Sequence, residues 1–99
     1  MDYSVYIVEC ADGTYYTGIT TNVERRILEH NFSFKSAKYT RSRRPVKLVY
    51  SELIGSRSAA SKEECRIKKL TRLKKKKLIN KALQNKLPTE RKSWSFILE

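Results

Sequence analysis

Three segments of the chain predict β-strands, and the last of them alternates hydrophobic and polar residues as half-buried strands do. They are Ser4–Cys10, Tyr15–Thr20 and Val46–Leu53, and the first two are rich in β-branched and aromatic residues. The pair Asp12-Gly13, a strong hairpin signal, separates the first two segments. The pattern therefore predicts a β-hairpin that is followed later in the chain by a third strand.

The type of hairpin turn decides which side chains share a face of the sheet. A two-residue turn would place Tyr6 and Tyr16 on opposite faces. A three-residue loop with Gly13 in a left-handed bulge would instead pair Cys10 with Thr14. The residues permit either turn. In the second arrangement one face of the hairpin would carry Tyr6, Val8, Tyr16 and Gly18, with Gly18 opposite Tyr6.

A short helix is predicted over Asn22–His30, between the hairpin and the third strand. The segment Thr21–Glu24 matches a capping box, in which an N-terminal Thr cap is followed three residues later by Glu. At roughly 100° per residue, Arg26 and His30 fall beside the inner apolar stripe, whereas Arg25 points outward. The helix would therefore turn a guanidinium and the only imidazole of the chain toward the sheet.

Helical spacing returns after the third strand. It predicts one helix over Ser58–Lys77 and a further helical stretch over Leu78–Asn85. Glu64 falls on the inner stripe of the first helix, and its neighbour Glu63 does not. The earlier segment Asn31–Pro45 is a polar and basic connection that is too long for a simple turn.

The composition favours a polyanionic partner. The chain has 99 residues, enough for one domain with a modest core, and a formal net charge of +12 at pH 7. This charge favours nucleic acid over an acidic membrane or protein. No apolar run approaches the roughly 20 residues of a membrane span, and no secretory signal follows Met1, so a cytoplasmic location is expected. Cys10 and Cys65 lie in no metal-ligand spacing and are expected to be free, buried thiols.

Five residues at these positions have side chains suited to phosphodiester cleavage. A carboxylate can hold a divalent metal ion, a guanidinium can neutralise a phosphate, and a phenol or imidazole can take a proton from water. Each also has a structural interpretation: a tyrosine can pack with a satisfied hydroxyl, a histidine can be a core or capping residue, and a Glu can pair with an Arg. The candidates are Tyr6, Tyr16, Arg26, His30 and Glu64.

The order and spacing of these residues resemble the GIY-YIG nuclease superfamily. Val5-Tyr6-Ile7 stands at the first motif, and Tyr16-Thr17-Gly18 stands at the second, although Val5 and Thr17 depart from the motif letters. Arg26 and His30 match the helix pair of the family, and Glu64 matches its metal-binding glutamate. The segments AKYTRSRRP and VKLVYSE are similar to the small stand-alone, YhbQ-like branch.

This resemblance implies an α/β (α+β) fold of β-β-α-β-α order, in which helices flank a three-stranded antiparallel sheet. It also implies that Tyr6 and Tyr16 meet at one site, which favours the bulged three-residue turn. Residues 1–82 would form the nuclease-like domain. Residues 83–99 would form a C-terminal extension, with Trp94 among its apolar residues, that packs on the domain or is partly flexible.

The roles carried over from the family are those of a hydrolysis with one metal ion. Glu64 would hold Mg²⁺ or Mn²⁺, and Arg26 would stabilise the pentacovalent phosphate. Tyr6 would act as the general base or hold the attacking water, helped by His30, while Tyr16 would position the phosphate or the water. A free tyrosine has a pKa of about 10, so a base role requires a nearby cation or imidazole to lower that pKa.

Basic residues indicate where nucleic acid would bind. Residues 66–77 hold eight basic side chains and no acidic one, which suits contact with phosphates without reading of base sequence. A solvated helix face is the structural alternative. Gly18 would leave open backbone beside Tyr6 for a phosphate, and Tyr39 could stack on an unpaired base. The candidate nucleic-acid contacts are Gly18, Lys38, Arg41, Arg43, Arg44, Arg66, Lys69 and Arg72.

The sequence therefore predicts a divalent-metal-dependent endonuclease that hydrolyses DNA with selectivity for structure, in DNA repair or recombination. Its activity could be low without a protein partner that supplies targeting. Two alternatives stay open. One is a catalytically weak binding module for DNA or RNA that uses the same basic surface. The other is a basic RNA- or ribosome-associated protein in which the five candidates only pack and pair.

Overall fold

The fold is built on a three-stranded antiparallel sheet with the strand order β2-β1-β3. A computed structural model of the chain describes residues 1–84. The predicted α/β class, the antiparallel sheet and the order of its strands and main helices are confirmed, and a short helix, α2, is an addition. The elements are β1 (Tyr3–Glu9), β2 (Tyr15–Thr20), α1 (Val23–Phe32), α2 (Lys38–Arg41), β3 (Lys47–Gly55), α3 (Arg57–Lys68) and α4 (Arg72–Gln84).

The central strand β1 is buried on both faces. Tyr6 points to one face, where Val23 and Ile27 of α1 pack against the core that contains it. Its neighbours Val5 and Ile7 point to the other face and are fully buried as well. Helix α3 packs against β1 and β2. A phenol therefore stands in the middle of the most buried strand, on the face that α1 covers.

Helix α1 begins one residue later than the predicted capping box requires. Asn22 is the N-cap, because its side-chain oxygen accepts the Arg25 N–H at 3.0 Å. The Asn22 N–H in turn donates to the Thr20 hydroxyl at 3.2 Å. The prediction of Thr21 as the cap is wrong, since Asn is at least as good an N-cap and is held in place by the strand end.

The long helix predicted over Ser58–Lys77 is two helices. Helix α3 ends at Lys68, and α4 begins at Arg72. Between them the Thr71 hydroxyl accepts the Lys74 N–H at 3.2 Å, as an N-cap does. A side chain that caps a new helix competes with continuation of the old one, and this explains why the prediction of one unbroken helix is wrong.

The chain divides into two units, residues 1–69 and residues 70–99. The sheet and helices α1 to α3 belong to the first unit, and α4 belongs to the second. The division predicted at residue 82 stays a prediction. The expectation that the tail around Trp94 docks on the domain concerns residues outside those described.

Two expectations about solvent and membrane can be compared with residues 1–84. Cys10 is buried as predicted, but Cys65 is exposed, so the prediction of two buried thiols is wrong for Cys65. It lies on α3 outside the buried stripe of Ala60 and Ile67. None of the helices within residues 1–84 is long and apolar enough to cross a bilayer.

Candidate active site

The hairpin turn brings the two motif tyrosines to one face. The Cys10 N–H donates to the Thr14 carbonyl at 2.8 Å, and Gly13 has a φ of 84°, as in the bulged three-residue turn. In the resulting register Tyr6 and Tyr16 point to the same side, and their ring centroids are 6.5 Å apart. The alternative two-residue turn is thereby excluded.

Gly18 lies directly opposite Tyr6 in the neighbouring strand. A methyl group at Gly18 would lie 2.6 Å from the Tyr6 hydroxyl oxygen, which is closer than a real side chain tolerates. The room left by the absent side chain is therefore filled by the phenol. The expectation of open backbone at this point is wrong for that reason, and contact between Gly18 and nucleic acid stays a prediction.

A chain of hydrogen bonds runs inward from Tyr6. Its hydroxyl lies 2.7 Å from His30 Nε2, and His30 Nδ1 lies 2.7 Å from the Thr40 hydroxyl. The Thr40 hydroxyl donates to the Ala37 carbonyl at 3.1 Å. His30 and Thr40 are fully buried, and the Tyr16 ring lies 5.3 Å from the imidazole. Both nitrogens of the buried imidazole are thus satisfied.

Burial sets the protonation states in this chain of groups. Burial lowers the pKa of His30 to about 4, and the nearby Arg26 guanidinium acts in the same direction. Burial also raises the pKa of Tyr6 to about 12, while Arg26 opposes the rise and the Glu64 carboxylate adds to it. At neutral pH the imidazole is therefore uncharged, and the phenol keeps its proton. Arg26 is the expected cation beside Tyr6, but burial outweighs its effect.

Arg26 lies at the edge of this site, as its position on the helix predicts. Its side chain is 22% exposed, whereas that of Arg25 is 60% exposed. The Arg26 guanidinium donates to Glu29 at 3.0 Å and to the Lys35 carbonyl at 2.8 Å. These contacts fix the guanidinium beside Tyr6, where it can stabilise negative charge.

Glu64 comes from α3 to the same site. Its carboxylate lies 3.6 Å from the Lys68 ammonium, and its side chain is 24% exposed. The pKa of the Tyr6 phenol is raised mainly by burial. The Glu64 carboxylate is close enough to raise that pKa further. The structural alternative of a Glu64–Arg26 pair is not what the protein forms, because Arg26 pairs with Glu29.

Comparison with known proteins identifies the family. The sequence model of the GIY-YIG catalytic domain matches residues 2–78. The chain belongs to the GIY-YIG family. This membership implies a nuclease-type function. A UPF0213 protein of Desulfotalea psychrophila is 64% identical over 75 residues, which are 76% of this chain and 68% of the relative. A UPF0213 protein of Natronomonas pharaonis is 54% identical over 78 residues, which are 79% of this chain and 91% of the relative.

Two solved structures share the fold. The solution NMR structure of a UPF0213 protein from Bacillus halodurans has a TM-score of 0.55 at 43% identity and covers 93% of this chain and 94% of that one. The solution NMR structure of a protein from E. faecalis has a TM-score of 0.60 at 39% identity and covers 88% of this chain and 92% of that one. Both likenesses support the assignment of the fold as a three-stranded antiparallel sheet with flanking helices.

GIY-YIG nucleases generally use divalent metal ions, and Glu64 is the ligand that the sequence predicts. Within residues 1–84 no group of three or more His, Cys, Asp or Glu side chains could hold a metal ion. A zinc-type site needs several protein ligands, whereas Mg²⁺ keeps several waters and takes one or two carboxylates together with substrate phosphates. A single, quarter-exposed carboxylate fits the second kind of site.

Some of the predicted nucleic-acid contacts of this GIY-YIG chain are open to solvent. Lys38 and Lys69 of the first unit are exposed, and so is Arg72 of the second. Arg66 is exposed as well, but its Nε and Nη2 donate to the two oxygens of the Glu63 carboxylate, at 2.6 and 2.8 Å. Their contact with nucleic acid stays a prediction.

The arginines of the α1–β3 connection (residues 33–46) are engaged within the protein. Arg44 donates to the carbonyls of His30 and Ser33. Arg41 donates to the Phe34 carbonyl at 3.0 Å. These contacts hold the connection against the end of α1, so both arginines have a structural role, and their contact with nucleic acid stays a prediction.

Arg43 and Tyr39 form a separate cluster near the hairpin. Arg43 donates to the Asp12 carboxylate at 3.0 Å, and its guanidinium carbon lies 3.9 Å from the centre of the Tyr39 ring. The Tyr39 ring also stacks near Tyr16, with 6.1 Å between centroids. These two partners favour the packing interpretation of Tyr39 over stacking on an unpaired base.

Thr40 is the residue of the site that sequence reasoning missed. It lies in the polar connection, ten residues after His30, where no periodicity marks an inward position. Its burial depends on the turn of α2, which follows from tertiary packing. The sequence signal that could have found Thr40 is its place in a short polar segment, because a threonine there can form a hydrogen bond with a buried histidine.

Proposed function

We propose that this protein is a divalent-metal-dependent endonuclease that hydrolyses phosphodiester bonds of DNA, with selectivity for structure rather than base sequence. The observation that carries the proposal is the 2.7 Å contact between the Tyr6 hydroxyl and the neutral His30. Tyr16, Arg26 and Glu64 lie around this contact, each with the chemistry that hydrolysis requires. Family membership supports the class of reaction.

In the proposed mechanism Tyr6 and His30 move the proton that hydrolysis releases. As the water oxygen forms its bond to phosphorus, the water gives a proton to the Tyr6 oxygen, and the Tyr6 proton moves to His30 Nε2. The opposite P–O bond breaks in line, and the leaving oxygen takes a proton from solvent. His30 then returns its extra proton to solvent through Tyr6. This relay requires neither a free phenolate, which the Tyr6 pKa of about 12 disfavours, nor a lasting imidazolium, which the His30 pKa of about 4 disfavours.

The other residues stabilise and align the reacting phosphate. Arg26, anchored by Glu29, would donate to the phosphate oxygens as negative charge develops on them. Tyr16, beside the imidazole, would position the phosphate or the water. Glu64 would hold Mg²⁺ or Mn²⁺, and that ion, when bound, supplies Lewis-acid polarisation of the phosphate.

The proposed substrate follows from charge. A net charge of +12 and exposed lysines on α3 and α4 suit contact with the phosphates of DNA, and such contact carries no base sequence information. Branched, nicked or flapped DNA would then be selected by shape. We further propose that the protein acts in DNA repair or recombination in the cytoplasm, and that a protein partner directs it to its substrate.

The deciding experiment compares two neighbouring glutamates. Glu63 and Glu64 have nearly equal side-chain exposure, 23% and 24%, but only Glu64 acts on Tyr6. Labelled duplex, single-stranded, flapped and four-way-junction DNA would be incubated with Mg²⁺ or Mn²⁺ and the wild type, Glu64→Gln or Glu63→Gln. We expect metal-dependent cleavage by the wild type and Glu63→Gln, and none by Glu64→Gln.

Stability measurements complete this comparison. An exposed ion pair contributes about 0–1 kcal/mol, so neither glutamate variant should unfold the protein. Cleavage that survives in Glu64→Gln, or that is lost equally in both variants, would contradict the assigned role. Tight binding of every DNA without cleavage by the wild type would identify a binding module instead of an enzyme.

A further inference from the structure

The Thr40 hydroxyl lies between two groups with different hydrogen-bonding abilities. The Ala37 carbonyl, at 3.1 Å, can only accept a hydrogen bond, whereas His30 Nδ1, at 2.7 Å, donates or accepts according to its tautomer. A hydroxyl has one proton to give. When Thr40 gives it to Ala37, its oxygen accepts from His30, and Nδ1 must carry the imidazole hydrogen. In the neutral ring His30 Nε2 is then bare.

The carbonyl that orients Thr40 is itself fixed. The first turn of α2 directs the backbone N–H groups of Thr40 and Arg41 to the Ala37 carbonyl, both at 3.1 Å. The acceptor therefore cannot turn away from the threonine without loss of that helical turn. This short helix holds in place the atom that directs the Thr40 proton.

The outer end of the chain favours the same direction. A guanidinium can only donate, and Arg26 faces the Tyr6 phenol, where it opposes the larger effect of burial on the pKa of that group. A phenol oxygen approached by a donor directs its own proton to an acceptor. That acceptor is His30 Nε2, 2.7 Å away, which must be bare to accept.

We propose that Thr40 is a positioning residue that holds His30 in the Nδ1–H tautomer and so keeps Nε2 available for the proton of Tyr6. Its consequence for cleavage rests on the proposed function. The tautomer itself is a property of the folded chain, and it can be measured without any substrate. Failure of the tautomer assignment and failure of the nuclease assignment are therefore separate results.

The test uses the fact that His30 is the only histidine of the chain. Imidazole nitrogens that carry a hydrogen differ widely in ¹⁵N chemical shift from bare ones, so one spectrum of labelled protein at neutral pH reports this single ring. We expect a protonated Nδ1 and a bare Nε2 in the wild type and in Thr40→Ser. In Thr40→Val the Nδ1 hydrogen loses its acceptor, and the Nε2–H form should increase.

Two results would overturn the proposal. One is a wild-type spectrum dominated by the Nε2–H form, which needs no variant and so does not depend on the folding of Thr40→Val. The other is a Thr40→Val protein with the same tautomer as the wild type. Thr17→Val is the matched control, because Thr17 is also buried and its hydroxyl has no hydrogen-bond partner within residues 1–84.

Cleavage kinetics test the consequence. Thr40→Val should lower kcat on the order of 10-fold or more with little change in KM, since a wrong tautomer impairs proton transfer and leaves DNA contacts intact. Thr40→Ser should restore kcat, and Thr17→Val should leave it unchanged. An equal loss of kcat in Thr40→Ser and Thr40→Val would contradict the positioning role.

Discussion

At the residue scale, Tyr6 and His30 are buried polar residues, and each provides the hydrogen-bond partner that the other one needs. Tyr6 is 1% exposed and His30 is fully buried, so either polar group left unpaired would cost about 1–3 kcal/mol. Their 2.7 Å contact removes that cost for both. The contact that stabilises the core is also the one along which the proposed proton transfer runs. A change at either residue should therefore affect stability and chemistry together.

The depressed pKa of His30 predicts an acid-sensitive stability. Burial lowers its pKa to about 4 in the folded protein against 6.5 in the free side chain, and the neighbouring cations Arg26 and Arg44 outweigh the carboxylate of Glu29. Between these two pH values the unfolded chain binds a proton that the folded protein does not. The free energy of unfolding should thus fall as the pH drops from 6.5 to 4, by roughly 3 kcal/mol at about 1.4 kcal/mol per pKa unit.

Urea denaturation at a series of pH values measures this effect. His30→Gln is the comparison, because its amide does not titrate while the carboxylates of the protein remain. The difference between the two stability profiles should vary between pH 6.5 and 4 and be flat above that window. Parallel profiles over the whole range would show that His30 does not cause the acid sensitivity.

At the scale of elements, local sequence patterns predicted the features that depend on residues close together in the chain. The β-branched and aromatic content of two segments and the Asp12-Gly13 signal placed the hairpin, although the choice of its bulged turn required the resemblance to a family. Helical periodicity could not reveal the break at Thr71, because the residues on both sides of it favour helix equally. Nor could it find Thr40, whose contact with His30 is made by the tertiary packing of the connection.

The identity of the α1 cap gives a test at this scale. The Asn22 side chain accepts the Arg25 N–H, whereas Thr21 is an exposed residue before the helix. Asn22→Ala should therefore lower the free energy of unfolding by about 0.5–2 kcal/mol, and Thr21→Ala should change it by less than about 0.5 kcal/mol. Chemical denaturation of both variants measures this, and a larger loss for Thr21→Ala would restore the capping box.

At the scale of the whole molecule, a net charge of +12 does not say which cations are available to a partner. Between Asn31 and Ser51 there are six basic residues and no acidic one, and nothing in the sequence distinguishes the exposed ones from those that bind within the protein. In the structure these basic residues differ in whether they bind within the protein or lie exposed to solvent. Arg44 donates to carbonyls at the end of α1, while Lys38 on α2 is exposed. Part of the positive charge therefore holds the connection that carries Thr40, and part is exposed to solvent, where the proposed contact with nucleic acid would be made.

Lys38→Gln and Arg44→Gln remove the same charge from the same connection, and this division predicts different results for them. Lys38→Gln should weaken DNA binding and reduce the slope of log affinity against log salt by about 0.9, with stability unchanged within about 0.5 kcal/mol. Arg44→Gln leaves buried acceptors without their donor, so it should lower the free energy of unfolding by about 1–3 kcal/mol and leave the slope unchanged. Binding isotherms at about 50–200 mM salt without divalent metal, together with urea denaturation, measure both quantities. If Lys38→Gln were destabilised, and Arg44→Gln were stable with a reduced slope, the assignment would be reversed, and Arg44 rather than Lys38 would be the proposed DNA contact.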